Sequence, residues 1–200
     1  MKATLDGREL TLAQPTLSAA IEAAATAAQE QGRIVIEVAI DGCPLDRSVL
    51  DAPNMSSMAG EHVAMTSADP LSLVRVTLFD AADAMEGSRE EHEACAAMIH
   101  KGEVGQAMAA LAQLLATWQA VREAIVHGGL AVGQPLETFL APGCLVERTE
   151  ALSRCLDSLK RAVGDDDLST VADILEDDLH AEAGLWAETL RQIAGAMRED

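Results

Sequence analysis

Apolar residues along this chain change their rhythm once. Up to about residue 68 they come in short runs with a period near two, and beyond it they recur every three or four residues to the end. Lys2–Leu5 and Arg8–Leu12 flank Asp6-Gly7, a turn pair that predicts a tight hairpin of two strands. Thr16 or Ser18 is placed to cap a helix in which Leu17, Ile21, Ala24 and Ala28 share a face and which Gly32 ends. The β-branched run Arg33–Ile40 predicts a third strand stopped by Asp41-Gly42, and a further short strand is expected at His62–Thr66 after an irregular stretch.

The order of hairpin, helix, strand, irregular stretch and strand resembles the ubiquitin-type β-grasp over residues 1–66. The resemblance implies a small ββαββ fold and carries no functional residues with it, since that fold serves carriers, adaptors and enzyme appendages alike. Carriers of this kind end in a free Gly-Gly. Here the chain runs on for more than a hundred residues, which counts against a carrier role.

Asp69-Pro70 predicts the start of a long helix. From there Leu71, Val74, Leu78, Ala81, Met85, Ser88, His92, Cys95 and Ile99 form one seam that ends at Lys101-Gly102. Leu73–Phe79 taken alone also reads as a strand; persistence of the helical spacing through it favours helix. A second helix is expected from Glu103 to about His127, with Val104, Ala107, Leu111, Leu114, Trp118, Val121 and Ile125 on one stripe and Gly128-Gly129 as its breaker. Residues 128–143, with Gly133, Pro135 and Pro142, predict a loop holding one helical piece at Leu136–Leu140. Leu145, Thr149, Leu152, Leu156, Leu159 and Val163 mark a third helix. A fourth follows Gly164, with Asp165–Asp167 to cap it and Leu168, Val171, Leu175, Leu179, Glu182, Trp186, Ile193 and Met197 on its stripe. The expected fold is therefore α+β: a small domain over residues 1–68, then an antiparallel four-helix bundle over residues 69–200.

Composition narrows the function classes. A net charge of -19 and a pI near 4.4 repel phosphate backbones and anionic lipid, so neither nucleic acid nor a membrane is an expected partner. Aromatic residues are confined to Phe79, Phe139, Trp118 and Trp186, too few for a surface that stacks bases or sugars. No basic region followed by an apolar run opens the chain, and a cytoplasmic protein is expected. Cys43, Cys95, Cys144 and Cys155 have no Cys-x-x-Cys spacing and read as buried free thiols.

Two acidic clusters hold histidine: Glu90-Glu91-His92-Glu93-x-Cys95, and Glu176-Asp177-Asp178-Leu179-His180-x-Glu182. His and carboxylates at this spacing share a helix face, as in di-iron bundles, but only Asp177-x-x-His180 approaches the required Glu-x-x-His element, and both residues lie off the stripe. His92 and Glu182 fall on the seams, where a polar group needs a partner. Where the two meet, the simplest expectation is a buried hydrogen-bonded pair fixing helix register; the sequence does not decide whether they meet. The Gly-rich His127–Gly133 lacks the order and the Lys of a phosphate loop. No catalytic residue, cofactor site or metal site is assigned. The expected function is that of a non-catalytic interaction or assembly protein, docking a protein partner or a second copy of itself as a homodimer, similar in composition to small acidic export chaperones. The alternative is a metal-binding or carboxylate/His-dependent enzyme with its site inside the bundle, drawn from His92, Cys95, Asp178 and Glu182.

Overall fold

The computed structural model of the protein describes residues 1–45 and 61–197, so the irregular stretch expected between strands three and five lies largely outside the described residues. The chain forms two compact units, Met1–Leu73 and Val74–Asp200.

In the first unit the strands are β1 (Lys2–Leu5), β2 (Arg8–Glu9), β3 (Ile34–Ile40), β4 (Cys43–Pro44) and β5 (His62–Ala68), with helix α1 (Leu17–Gln29) between β2 and β3. Asp6 and Gly7, both at positive φ, make the predicted tight turn. The sheet order is β2-β1-β5-β3-β4, with β1 and β5 parallel and the remaining pairs antiparallel. This is the α+β arrangement that the β-grasp resemblance implies. Thr16 caps α1 through its side chain, and the helix turns Leu17, Ala20, Ala24 and Ala28 onto the sheet. These pack with Ala3, Leu5, Val38, Val63 and Met65, and the small alanines let helix and sheet approach closely. A register shift between Val35 and Glu37 breaks the alternation of β3 and leaves Ile36 exposed.

A polar latch ties this sheet together. The Asp6 carboxylate accepts from the Ser67 N–H at 2.8 Å and from its hydroxyl at 2.6 Å, while Arg33 donates to the Ser67 hydroxyl and carbonyl, both at 2.6 Å. The first hairpin, the start of β3 and the end of β5 thus meet at one buried serine. The Ser67 hydrogen bonds hold the Asp6 carboxyl below its ordinary value.

Helix α2 (Pro70–His100) begins at the expected proline, with the Asp69 carboxylate accepting from the Ser72 N–H, and from Val74 onward it belongs to the second unit. Residues 73–79 are helical: Val74 and Leu78 are buried while Leu73, Val76 and Phe79 are exposed, a period of four rather than two. Helix α3 runs Val104–Val132 and therefore passes through Gly128-Gly129, which the sequence reading takes as a break; Gly133, at φ 71°, ends it instead. Close packing explains the glycine. A Cβ on Gly128 would lie 2.9 Å from Val74 and 3.1 Å from Leu136. A short 3-10 turn, Leu136–Phe139, replaces the expected helical piece, and α4 spans Cys144–Gly164.

The last stretch is one helical path in three parts: α5 (Leu168–Asp173), a π-helical turn (Ile174–Leu179) and α6 (His180–Ala196), opened by Asp167 accepting from the Thr170 N–H. Paired residues on α2 and α6 run in opposite order, Asp83 with Arg191 at 3.0 Å and Arg89 with His180 at 2.9 Å, with His100 reaching Glu176 on the π turn at 3.4 Å. These neighbours are antiparallel. Gly184 faces the Arg89 guanidinium, which would lie in ordinary contact, 3.5 Å away, with a Cβ at that position.

The two kinds of helical glycine respond oppositely to substitution. Gly87 in α2 has nothing within 4 Å of its Cβ position, so Gly87→Ala is expected to raise stability by about 0.5–1 kcal/mol. Gly128→Val overpacks the Val74 and Leu136 contacts and is expected to lower it by about 1–3 kcal/mol. Urea denaturation of both variants reads the two signs.

Candidate functional site

The interior of the helical unit is arranged around His92, which is fully buried on α2. Its Nδ1 donates to the Ser88 carbonyl at 2.6 Å, one turn back, and its Nε2 accepts from the Trp118 indole N–H of α3 at 3.4 Å. These two bonds set the tautomer. Burial pushes the His92 pKa below its ordinary 6.5, and the lone pair offered to Trp118 is a second reason for the ring to stay neutral, since a proton there would face another N–H. The His92 and Trp118 rings meet edge to face at 6.3 Å, and Trp118 meets Trp186 of α6 edge to face at 6.5 Å.

The four residues of the expected metal or acid–base cluster are divided between two places. His92 and Cys95 face α3, with the Cys95 thiol donating to the Ala107 carbonyl at 3.3 Å. Glu182 turns to α4, where Arg148 lies 3.4 Å from its carboxylate, and Asp178 is exposed. His92 and Glu182 are thus bound by different partners rather than by each other. The predicted stripe persists past the π turn at Trp186, Ile193 and Met197, with Ala183 fully buried and Glu182 partly so. His180, expected toward solvent, is instead partly buried between Arg89 and Glu93. Among the described residues no group of three His, Cys, Asp or Glu side chains is placed to hold a metal ion.

The cysteines differ from expectation as well. Cys95 is buried, Cys43 is exposed on a two-residue edge strand, and Cys144 and Cys155 are intermediate. Burial pushes the thiols of Cys95 and Cys155 up, and at Cys155 the carboxylates of Asp178 and Glu182 push the same way, which leaves both poor nucleophiles.

Apart from a polar hollow of about 490 Å³ beside Arg89 and Arg191, an apolar concave surface lies between α3 and α4. One hollow of about 380 Å³ is walled by Trp118, Val121, Ile125, Leu152, Leu156 and Trp186, with Arg122 at its edge. A second, of about 490 Å³, continues along α3 past Gly129, Leu130 and Gly133 to Pro135 and Leu136. Ile125, Val126 and Leu145 belong to both walls, so the two form one apolar groove. Along it Val126 is 52% and Leu130 74% exposed. The Trp186 indole nitrogen is buried and has no acceptor, an arrangement that costs about 1–3 kcal/mol and marks this wall as incompletely satisfied. Arg122, like Arg8, Arg75 and Arg154, has no ion pair or hydrogen bond among the described residues, whereas Arg33, Arg89, Arg148, Arg161 and Arg191 do.

The sequence reading placed Trp118, Val121, Ile125, Leu145, Leu152, Leu156 and Trp186 in a core and missed that they also wall a groove. The available signal was the overflow of apolar residues beyond the α3 stripe, at Val126 and Leu130. No protein-family model, curated protein or solved structure matches this chain. No helix among the described residues is long and apolar enough to cross a membrane.

Because the native fold holds His92 neutral, the unfolded chain takes up the proton first as pH falls. The histidine contribution is complete above about pH 6.5 and is lost progressively below it. His92→Gln is expected to flatten the loss of stability expected of the parent protein between pH 7 and 5, while lowering stability at pH 7 by about 1–3 kcal/mol through the weakened Trp118 bond. Thermal melts at both pH values check both effects.

Proposed function

We propose that this is a non-catalytic cytoplasmic interaction or assembly protein, in which an antiparallel four-helix bundle holds an apolar segment of a partner in the groove between α3 and α4. The groove carries the proposal. Soluble proteins rarely leave a long apolar trough uncovered unless something binds there, and Val126 and Leu130 extend this one into solvent. The polar interior argues in the same direction: His92, Cys95 and Glu182 spend their hydrogen-bonding capacity on Ser88, Trp118, Ala107 and Arg148, which suits a structural rather than a chemical role. The acidic exterior keeps the protein dispersed while the groove stays nearly uncharged.

The dye bis-ANS is expected to bind saturably, with energy transfer from the chain's two tryptophans, Trp118 and Trp186. The double variant Val126→Glu, Leu130→Glu is expected to lose that binding by at least about tenfold at an unchanged melting temperature. Undiminished binding in the variant, or none in the parent protein, defeats the reading. Native mass spectrometry of protein purified without chelator provides an independent check, because a stoichiometric metal ion would move the assignment to an enzyme.

A further inference from the structure

We infer that the occupant of the groove is an amphipathic helix of a protein partner that sets a carboxylate against Arg122; this inference rests on the groove being a docking site. Three features select such an occupant. The groove follows α3 from Trp118 to Gly133, which at 1.5 Å per residue is about 22 Å, or roughly four helical turns. Its two walls are helices, so a third helix laid between them extends the packing already present, with apolar residues three and four apart entering between the α3 and α4 side chains. A single compact ligand would fill one hollow and leave the exposed edge at Leu130 uncovered.

Charge then chooses among amphipathic helices. Arg122 is the one charged side chain lining the tryptophan end, and it has no partner among the described residues. Its neighbour Glu123 is occupied on its own helix, accepting from Gln119 at 2.9 Å. At the other end the only charged lining residue is Glu137. An otherwise apolar groove therefore presents a cation at the tryptophan end, on a protein whose net charge of -19 would by itself repel acidic partners. The partner helix that fits carries its acid where it meets Arg122, and a basic residue in that place would leave two cations facing each other.

The probes are two synthetic amphipathic helical peptides with the same leucine face, differing only in Glu or Lys at the position that meets Arg122, each followed through Trp118 and Trp186 fluorescence. At low salt the Glu peptide is expected to bind roughly fivefold or more tightly than the Lys peptide, with the difference shrinking as salt screens it. Arg122 is exposed, so Arg122→Glu should keep the parent melting temperature and reverse the order of the two peptides. Equal binding of both peptides, or an order unchanged in Arg122→Glu, overturns the inference. Failure of both peptides while bis-ANS still binds overturns the helical occupant and leaves the groove reading in place; failure of peptides and dye together removes the groove reading itself.

Discussion

Trp118 has one hydrogen to donate, and the only acceptor it meets among the described residues is the imidazole of His92. That bond requires His92 to be neutral and to carry its proton on Nδ1, where the Ser88 carbonyl takes it. The rotation of α2, the depth of α3 and the orientation of the indole are therefore coupled through one ring. In a chain with only four aromatic side chains, two of which are tryptophans in contact with each other, few other groups can span the distance between helices. The small residues around them, such as Ala96, Ala107, Ala183 and Ala187, allow close approach but impose little register. A buried polar contact imposes it, because sliding the helices by one residue would leave the donors and acceptors of His92 and Trp118 unpaired in an apolar interior.

The same arrangement explains why a groove exists. Trp118 and Trp186 fill the layer between α3 and α6, while α4 is tied at its edge by Arg148 to Glu182. The links between α2 and α3 and between α4 and α5 are tight turns, whereas residues 133–143 connect α3 to α4 through a 3-10 turn whose Leu136 packs against Gly128. A short link would hold two helices together along their length. The longer one leaves α3 and α4 apart, and the side chains that would have met, Ile125, Val126 and Leu145, instead line an open trough.

Much of the fold was legible in the sequence because its signals are local. Asp6-Gly7 marked a tight turn, Thr16 offered a cap, Asp69-Pro70 marked a helix start, and a seam repeated through Leu73–Phe79 was enough to prefer helix there. What local signals missed depended on contacts between distant segments. Gly128 reads as a breaker by propensity, yet it is held in helix by Val74 and Leu136, whose proximity no local pattern reports. The π turn at Ile174–Leu179 is invisible to a count based on 3.6 residues, and His180, expected toward solvent, is drawn into contact with Arg89 and Glu93 on α2. Whether His92 and Glu182 pair was undecidable from local pattern for a related reason: each residue did need a partner, and the structure supplies a carbonyl one turn away and an arginine on another helix.

A groove is harder to read than a core, since the same residue types line both. Leu130 is apolar in sequence and 74% exposed in structure, and only the second fact distinguishes a docking surface from an interior. Arg122 shows the complementary difficulty. In sequence it sits beside Glu123, but on a helix adjacent residues point about 100° apart, so Glu123 is engaged by Gln119 while Arg122 borders the trough. An unpaired cation at the edge of an apolar surface contributes nothing evident to folding. Its effect is to distinguish among things that arrive: an acidic helix gains an ion pair on docking, and a basic one has to desolvate its charge against another of the same sign.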